Sequence, residues 1–551
     1  MEIELKLLVA PAHLARIARH PALKAVRRRV RRKQTLHSVY FDTPDFALER
    51  DGVALRLRQS GARWVQTLKG EGGAAAGLHV REELEWEVAG EQIDLAALDA
   101  TRYRRLFAQR DVRDRLAPVF VTRFDRTARL LAFPDGSTAE LAIDCGEIRA
   151  GERHAPVSEV EIELKAGDPQ RLFELARGFA QDVPLRLGHA SKAERGYALA
   201  RGLAAAPRRA GALGLDGSLR AGAALRRIAL ACVAHMQANE DGVLAGRDPE
   251  YLHQLRVGVR RLRSCLALVQ LAIGKDSVRP LADELRWLQN ALGPARDWDV
   301  FVTETLPPLL RQYREAEGLT GFRLRCARLR RTHAEAACAA LRSPRYTLLL
   351  LAVGESFVRD DLGGLQAVPA APVTLAAPTA PAEQTAPTEP AAPTEPAPAA
   401  PGQQAAADGA EQPPLDRPVA DFAAWVLDKR HRRLRKRGGG AAMATPAERH
   451  AVRIAAKKLR YAAEFFAPLY PPRRTARHVA ALQRLQDVLG ALNDAVVVDR
   501  LLAEVVAGGK TAIAPFAEGL MRGWTAAVTD RELARYGAAW RRFEKAKPFW
   551  R

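Results

Sequence analysis

The sequence predicts a multidomain protein in two parts: a closed β-barrel of about eight strands with flanking helices, followed by an all-α part built twice. Three observations carry this. Residues 1–200 alternate apolar and polar side chains with period two in many segments. Residues 218–545 read as long helices rich in Ala, Leu and Arg. Two stretches of the helical part repeat at a single offset, the mark of a duplicated unit. A chain of 551 residues exceeds one compact domain, and a 48% hydrophobic content is ample for packed cores.

The strand candidates each have two faces. In MEIELKLL, Glu2, Glu4 and Lys6 oppose Ile3, Leu5 and Leu7. In VALRLRQS, Arg56 and Arg58 oppose Val53, Leu55 and Leu57. In HVREELEWEV, Arg81, Glu83, Glu85 and Glu87 oppose Val80, Leu84 and Trp86. In STAELAIDCG, Glu140 and Asp144 oppose Leu141, Ile143 and Cys145, and in SEVEIELK, Glu159, Glu161, Glu163 and Lys165 oppose Val160, Ile162 and Leu164. TLHSVYFD, RWVQTLKG and VFVTRFDRTARLL complete the set, with helices expected near 11–22, 94–116, 168–181 and 191–202. Alternation ordinarily means apolar inside and polar outside. Here the polar faces carry clustered charges of both signs on at least five strands, and the helices need an apolar sheet face to cover. A barrel with a charged lumen and apolar outer walls satisfies both demands.

Residues 204–217 read as a linker. The helical part spans 218–545, with repeats at about 218–365 and 419–545. Between them, residues 366–418 form a Pro/Ala/Thr-rich insertion expected to be extended and coreless. LHQLRVGVRRLRS at 252–264 aligns with RHAVRIAAKKLRY at 449–461, and LRWLQNALGPARDWDV at 285–300 with LQRLQDVLGALNDAVV at 482–497. His253/His450 and Asp297/Asp494 each differ by 197. On the first copy Leu255, Val259, Leu262 and Leu266 form an apolar stripe beside a basic one of His253, Arg256, Arg260 and Arg263. The second copy keeps both, with Val452, Ala456 and Leu459 beside His450, Arg453, Lys457 and Arg460. A basic stripe is either a solvated face or an anion site, and its recurrence with its histidine favours the anion site. Gly293 and Gly490 are expected to stop the second helix of each copy, leaving Asp297 and Asp494 to cap the next helix or brace an arginine. Arg430–Arg437 adds a dense basic cluster before the second copy.

Five scattered cysteines without a CxxC pair support neither a disulfide scaffold nor a thiolate zinc site. No run of 18 apolar residues occurs, so no transmembrane helix is expected. MEIELKLLVA lacks the basic start of a signal peptide, so a cytoplasmic protein is expected. The net charge of +21 calls for an anionic partner. Residues 1–200 hold 33 Lys and Arg against 29 Asp and Glu, whereas the remainder holds 52 against 35, so the two parts meet anions differently.

Clustered carboxylates bind hard divalent cations such as Mg2+ or Mn2+, and facing arginines and lysines bind phosphate oxygens. Together they suit a compact polyphosphate bridged by metal, attacked directly by water, since neither a P-loop nor a nucleophilic Ser or Cys motif is present. Glu2-Ile-Glu4-Leu-Lys6, with Tyr40-Phe41-Asp42-Thr43, Leu55-Arg56-Leu57-Arg58, Thr67-Leu68-Lys69, Arg81-Glu82-Glu83-Leu84-Glu85 and Ser191-Lys192 through Arg195-Gly196-Tyr197, resembles in order the CYTH family of triphosphate tunnel metalloenzymes. That resemblance implies an eight-stranded antiparallel tunnel that cleaves or rearranges triphosphates with Mg2+ or Mn2+. It places Glu2 and Glu4 on the metal with Asp144 and two of Glu159, Glu161 and Glu163, the choice staying open. Lys6, Arg56, Arg58, Lys69, Arg123 and Lys192 would grip phosphates, Glu4 and Lys6 being catalytic. Arg81, Glu83 and Glu85 are substrate contacts or lumen ion pairs. Asp42 is expected to hold a turn rather than metal. The run Arg27–Lys33 lies outside the pattern, as a solvated loop or helix face or an anion-steering patch.

The duplicated H-x-x-R-x-x-x-[RK]-[RK]-x-R pattern resembles the CHAD domain, which implies two pseudo-symmetric helical bundles around a basic channel that binds inorganic polyphosphate. The stripes His253, Arg256, Arg260, Arg263, His450, Arg453, Lys457 and Arg460 would line it. Few aromatics lie near them, which disfavours single-stranded nucleic acid. The expected activity is metal-dependent hydrolysis of inorganic triphosphate to pyrophosphate and phosphate. The alternatives are a nucleotide or thiamine triphosphatase or adenylate cyclase of the same fold, or a polyphosphate-binding and targeting protein with little turnover. No membrane partner is expected, and association of a cytoplasmic protein with polyphosphate granules is left open.

Overall fold

The computed structural model describes residues 2–24, 26–202, 206–313, 319–358, 415–438, 445–507 and 515–551. Its strands are β1 (Glu2–Val9), β2 (Arg27–Asp42), β3 (Ala54–Ser60), β4 (Arg63–Ala75), β5 (Leu78–Val88), β6 (Ala117–Ala132), β7 (Thr138–Ala150), β8 (Arg153–Ala166) and β9 (Leu185–Leu187). They form one antiparallel sheet in the order β5-β4-β3-β2-β6-β7-β8-β1-β9. β5 also pairs with β1, Glu2 opposite Arg81 and Glu4 opposite His79, so the first eight strands close into a barrel and β9 lies beside β1. The basic run from Arg27 is the start of β2, paired with the end of β6, rather than a loop or helix. Two long paired strands satisfy its backbone groups where a loop would leave them to solvent.

The first-part helices are α1 (Pro11–Ala18), α2 (Ala47–Arg50), α3 (Leu95–Asp99), α4 (Arg104–Phe107), α5 (Arg110–Arg113), α6 (Gln170–Asp182) and α7 (Lys192–Arg201). Leu5, Leu7, Leu141, Ile143, Val160 and Ile162 form the apolar outer face of β1, β7 and β8, and Ile17, Leu172, Phe173 and Phe179 of α1 and α6 bury it. On the opposite wall Leu55 and Leu68 pack under Leu98, Leu106, Phe107 and Val112. Helix α7 starts at a reciprocal Ser191–Glu194 cap. Its Ala193 and Tyr197 pack on Tyr40, Phe120, Ile148 and Val157 and stop one end of the barrel. Gly196 permits this, since a Cβ there would lie 2.1 Å from the Phe120 ring.

The helical part comprises α8 (Ala221–Leu244), α9 (Pro249–Ile273), α10 (Lys275–Val300), α11 (Leu306–Gln312), α12 (Leu319–Arg342), α13 (Pro344–Val358), α14 (Val419–Gly438), α15 (Pro446–Phe466), α16 (Pro472–Ala507) and α17 (Pro515–Lys545). α8, α9 and α10 correspond to α14, α15 and α16, and the chain before α8 pairs with the chain before α14, Arg220 opposite Pro418. The expected helix stops do not occur. α10 runs through Gly293 and Pro294, and α16 runs through Gly490. Burial of Leu288, Leu292, Ala295 and Trp298 on one side, and of Leu485, Leu489 and Leu492 on the other, outweighs the weak local propensity. Residues 206–217 contain neither helix nor strand, yet Leu213 and Leu215 are buried. The Pro/Ala/Thr insertion lies outside the described residues up to 414. No described helix is long and apolar enough to cross a membrane.

Candidate active site

Strand alternation carries the charged side chains inward, and antiparallel register decides which of them meet. Across β1 and β8, Lys6 stands opposite Glu161 and Glu4 opposite Glu163. Across β7 and β8, Asp144 faces Glu159 and Glu140 faces Glu163. The result is two carboxylate groups at different depths. The inner group is Asp144, Glu159 and Glu161, whose oxygens lie within 4.8 Å of one another. The outer group is Glu2, Glu4, Glu140 and Glu163.

Four cations already neutralise the inner group, Arg195 reaching Glu159 at 3.1 Å beside the three that follow. Lys192 Nζ lies 2.8 Å from Asp144, 2.5 Å from Glu159 and 2.8 Å from Glu161. Lys6 Nζ donates to Glu161 at 2.8 Å and stands 3.5 Å from Glu159 and 3.6 Å from Glu4. Arg126 donates to both Asp144 oxygens at 2.8 and 2.7 Å and to Glu161 at 2.5 Å. Burial alone would push Lys6 down, but Glu159, Glu161 and Glu4 overcome it and hold the ammonium well above its ordinary range. Burial likewise opposes ionisation of Glu161, and Lys192, Lys6 and Arg126 reverse it, keeping the carboxyl well below its ordinary value. The outer group is paired more sparsely, Glu2 with Lys69 at 3.0 Å, Glu4 with Lys6 at 3.6 Å and Glu163 with Lys165 at 2.5 Å. Glu163 is raised, first by burial and then by Glu2 and Glu140, although Lys165 opposes them.

The facing wall supplies cations. Arg56 meets Glu83 at 3.0 Å and Glu85 at 3.4 Å, and Lys69 lies 3.0 Å from both Glu2 and Glu83. Arg58 reaches Ser38 at 3.3 Å. Burial, then Arg56 and Arg126, lower its guanidinium to about 10, the response of a cation short of counter-charge. Arg81 pairs with Glu194 of α7 at 3.0 Å. Asp42 accepts backbone N–H bonds from Thr43, Leu48 and Glu49, so it holds the turn into α2.

Arg123 is misplaced by the sequence reading. It is exposed on the outer wall beside Thr35, His37, Gln59, Glu147 and Arg149, lining an open groove of about 560 Å3. The inward guanidinium of β6 is Arg126, fixed by its register opposite Asp144. Tyr40 and His79 are lumen residues that sequence reasoning missed. Burial, then Lys6, lower His79 to about 4. Space left in the lumen is only about 60 Å3, because its charges are folded onto one another. The outer groove is larger but lacks buried charge among its lining residues, so the lumen is the candidate site.

In the helical part, Arg256, Arg260, Arg453 and Lys457 are half-buried and close enough for α9 and α15 to perturb each other. Burial, then Arg453, Arg260 and Arg256, lower Lys457 to about 7. Burial, then Arg296, lower His253 to about 4. Arg453 donates to Asn493 at 3.1 Å. Arg263 donates to Gln289 and Arg460 to Gln486, equivalent contacts in the two copies. His450 is exposed near the start of α15. Asp297 and Asp494 lie within helices and face basic side chains, Asp297 bonding Arg500.

Residues 1–197 match the CYTH domain model and residues 227–503 the CHAD domain model. The inorganic triphosphatase of Haemophilus influenzae is 34% identical over 199 residues, covering 36% of this chain and 54% of that protein. The match thus spans about half of that relative's length. The inorganic triphosphatase of Nitrosomonas europaea is 26% identical over 148 residues, 27% of this chain and 78% of that protein. The crystal structure of the CHAD domain from the plant Ricinus communis is 32% identical, covering 62% of this chain and 98% of that chain with a TM-score of 0.48. A closed, charge-lined barrel and a duplicated helical unit, each matched by its own model, make this chain a member of the CHAD family with an N-terminal CYTH domain.

Proposed function

We propose that the barrel hydrolyses inorganic triphosphate to pyrophosphate and phosphate, and that the helical channel holds polyphosphate. The observation carrying the first claim is the facing of Lys6, Arg56, Arg58, Lys69, Arg126 and Lys192 with two ranks of carboxylates inside one barrel. Triphosphate oxygens take over the guanidinium and ammonium groups that the carboxylates now occupy. Arg58, the cation least compensated, anchors one end of the chain. Lys6 stays protonated and offers a fixed positive charge to the phosphoryl oxygens as water displaces the leaving phosphate.

The donor set fits a divalent cation, Mg2+ or Mn2+. The inner triad converges best but is neutralised, so the outer Glu2, Glu4 and Glu163, with Glu140 beside them, would hold it. Burial and the nearby Glu2 and Glu140 raise Glu163 despite its Lys165 partner, as expected of carboxylates crowded where a cation would be welcome. A bound divalent ion supplies charge neutralisation and orientation of the phosphate chain. The inner Asp144, Glu159 and Glu161 fix Lys6, Arg126 and Lys192.

In the channel, burial first and neighbouring cations after it lower Arg256, Arg453 and Lys457, which favours a polyanion. The deciding experiment measures phosphate release from triphosphate with Mg2+ or Mn2+ by wild type and Glu4→Ala. Equal inactivity of both would overturn the enzyme reading.

A further inference from the structure

Lys6 is held by its backbone as well as its ammonium. Its N–H donates to Gly77 O at 2.8 Å, and its carbonyl accepts from Gly188 N at 2.8 Å. Gly188 also crosses the lysine stem, since a Cβ there would lie 2.7 Å from Lys6 Cγ. Both clamps are in turn gripped by the helical domain.

Gly77 belongs to the two-residue turn joining β4 to β5. Ala76 and Gly77 have φ values of 54° and 77°, as a tight hairpin of this hand requires. That conformation is unfavourable for alanine. The buried Ala76 N–H donates to Gln237 Oε1 of α8 at 2.7 Å. α13 closes over the same turn at Gly354, where a Cβ would come within 2.7 Å of Ala76 Cβ. The second clamp follows β9. Thr347 of α13 donates to the Leu185 carbonyl at 2.8 Å, and Arg186 donates to Glu240 of α8 at 2.7 Å. Glu240 also accepts from Tyr346 at 3.1 Å.

We infer that Gln237 is a positioning residue for Lys6: by capping Ala76 N–H it fixes the turn whose Gly77 carbonyl sets β1, so the helical domain completes the geometry of the barrel site. Thr347 performs the matching service through β9. The activity arm of this inference rests on the triphosphatase reading; the structural arm does not.

The test uses the full chain with Gln237→Met, which keeps side-chain length and removes the acceptor. Hydrogen exchange of the peptide covering β1 is expected to accelerate about tenfold, while peptides from β6 and β7 keep their rates. Turnover of triphosphate is expected to fall about tenfold with KM within about twofold, because orientation of Lys6 and not substrate affinity is disturbed. Adding Ala76→Gly, which relaxes the positive-φ demand, restores part of the turnover. A folded Gln237→Met with wild-type turnover and wild-type β1 exchange overturns the inference. Should that variant fail to fold, Gln237→Asn, which withdraws the acceptor from Ala76 N–H by one methylene, takes its place, and the same two readouts decide in the same way. If wild type itself releases no phosphate, the functional reading falls, and β1 exchange alone decides: acceleration upholds the positioning role, and no change overturns it.

Discussion

Lys6 Nζ and Lys192 Nζ share a single carboxylate oxygen, Glu161 Oε1, each at 2.8 Å. Two ammonium groups from β1 and α7 are therefore brought together around one acid, and neither can leave without exposing the other to an altered charge balance. Lys6→Met is expected to lower turnover of triphosphate at least a hundredfold. It should also cost about 1–3 kcal/mol of stability, because Glu161 and Glu159 lose one of their three cations each. Lys6→Met/Glu161→Gln should recover neither stability nor activity, because Lys192 and Arg126 then lose their shared carboxylate as well. Steady-state kinetics and thermal unfolding of the three proteins check this.

Arg126→Ala should raise KM for triphosphate and lower turnover, because it removes both a phosphate-facing guanidinium and the partner of Asp144 and Glu161. Arg123→Ala, on the exposed outer wall, should leave both parameters within about twofold. An Arg123 effect as large as that of Arg126 would reverse the assignment of faces.

Chelation of divalent ions should abolish phosphate release, and titrating Mg2+ or Mn2+ back should restore it. Glu2→Gln and Glu163→Gln are expected to weaken the apparent metal affinity about tenfold or more. Glu159→Gln, whose carboxylate is taken by Lys192 and Lys6, should act on turnover instead. Metal dependence of initial rates separates these effects.

Lys457, lowered to about 7 by burial and by Arg453, Arg260 and Arg256, loses its charge as the pH rises above neutrality. A bound polyanion restores the ordinary ammonium, so binding takes up a proton above pH 7 and does not below it. Polyphosphate affinity should therefore weaken between pH 7 and 9 by up to about tenfold per unit. Lys457→Arg should flatten that slope. Titration calorimetry at several pH values measures it.

Gly490 lies in the interior of α16, and a Cβ at this position meets nothing within 4 Å. Gly490→Ala should therefore stabilise the protein by about 0.5–1 kcal/mol. An unfolding midpoint at or below that of wild type would contradict this.

The lumen was legible because period two assigns faces without knowledge of pairing: once Leu5 and Leu7 must be covered, Glu4 and Lys6 must point inward. The same rule failed on β6. Arg123 and Arg126 have opposite parity, and the neighbours of Arg126 on its face, Thr122 and Phe124, are not charged. Only register, which sets Arg126 opposite Asp144, settles the choice. Tyr40 stood in a motif without a lumen role and His79 escaped notice, because a single polar atom on a ring carries little pattern. The duplicated stripes were visible as repeated spacing, whereas Gly293 and Gly490 were read as stops because glycine weakens a helix locally. Packing of leucines far apart in sequence overrides that preference. No pattern in the sequence pointed to Gln237, whose partner lies 161 positions away.

Helix α7 makes the barrel a cul-de-sac. On the proposed reaction, both fragments of a cleaved triphosphate must leave through the doorway by which their parent came. The piece nearer the opening departs first, and the deeper piece waits behind it. Accumulated product of the outer kind should then obstruct fresh substrate more strongly than the inner kind, so inhibition patterns by phosphate and pyrophosphate report which end of the chain goes in head first.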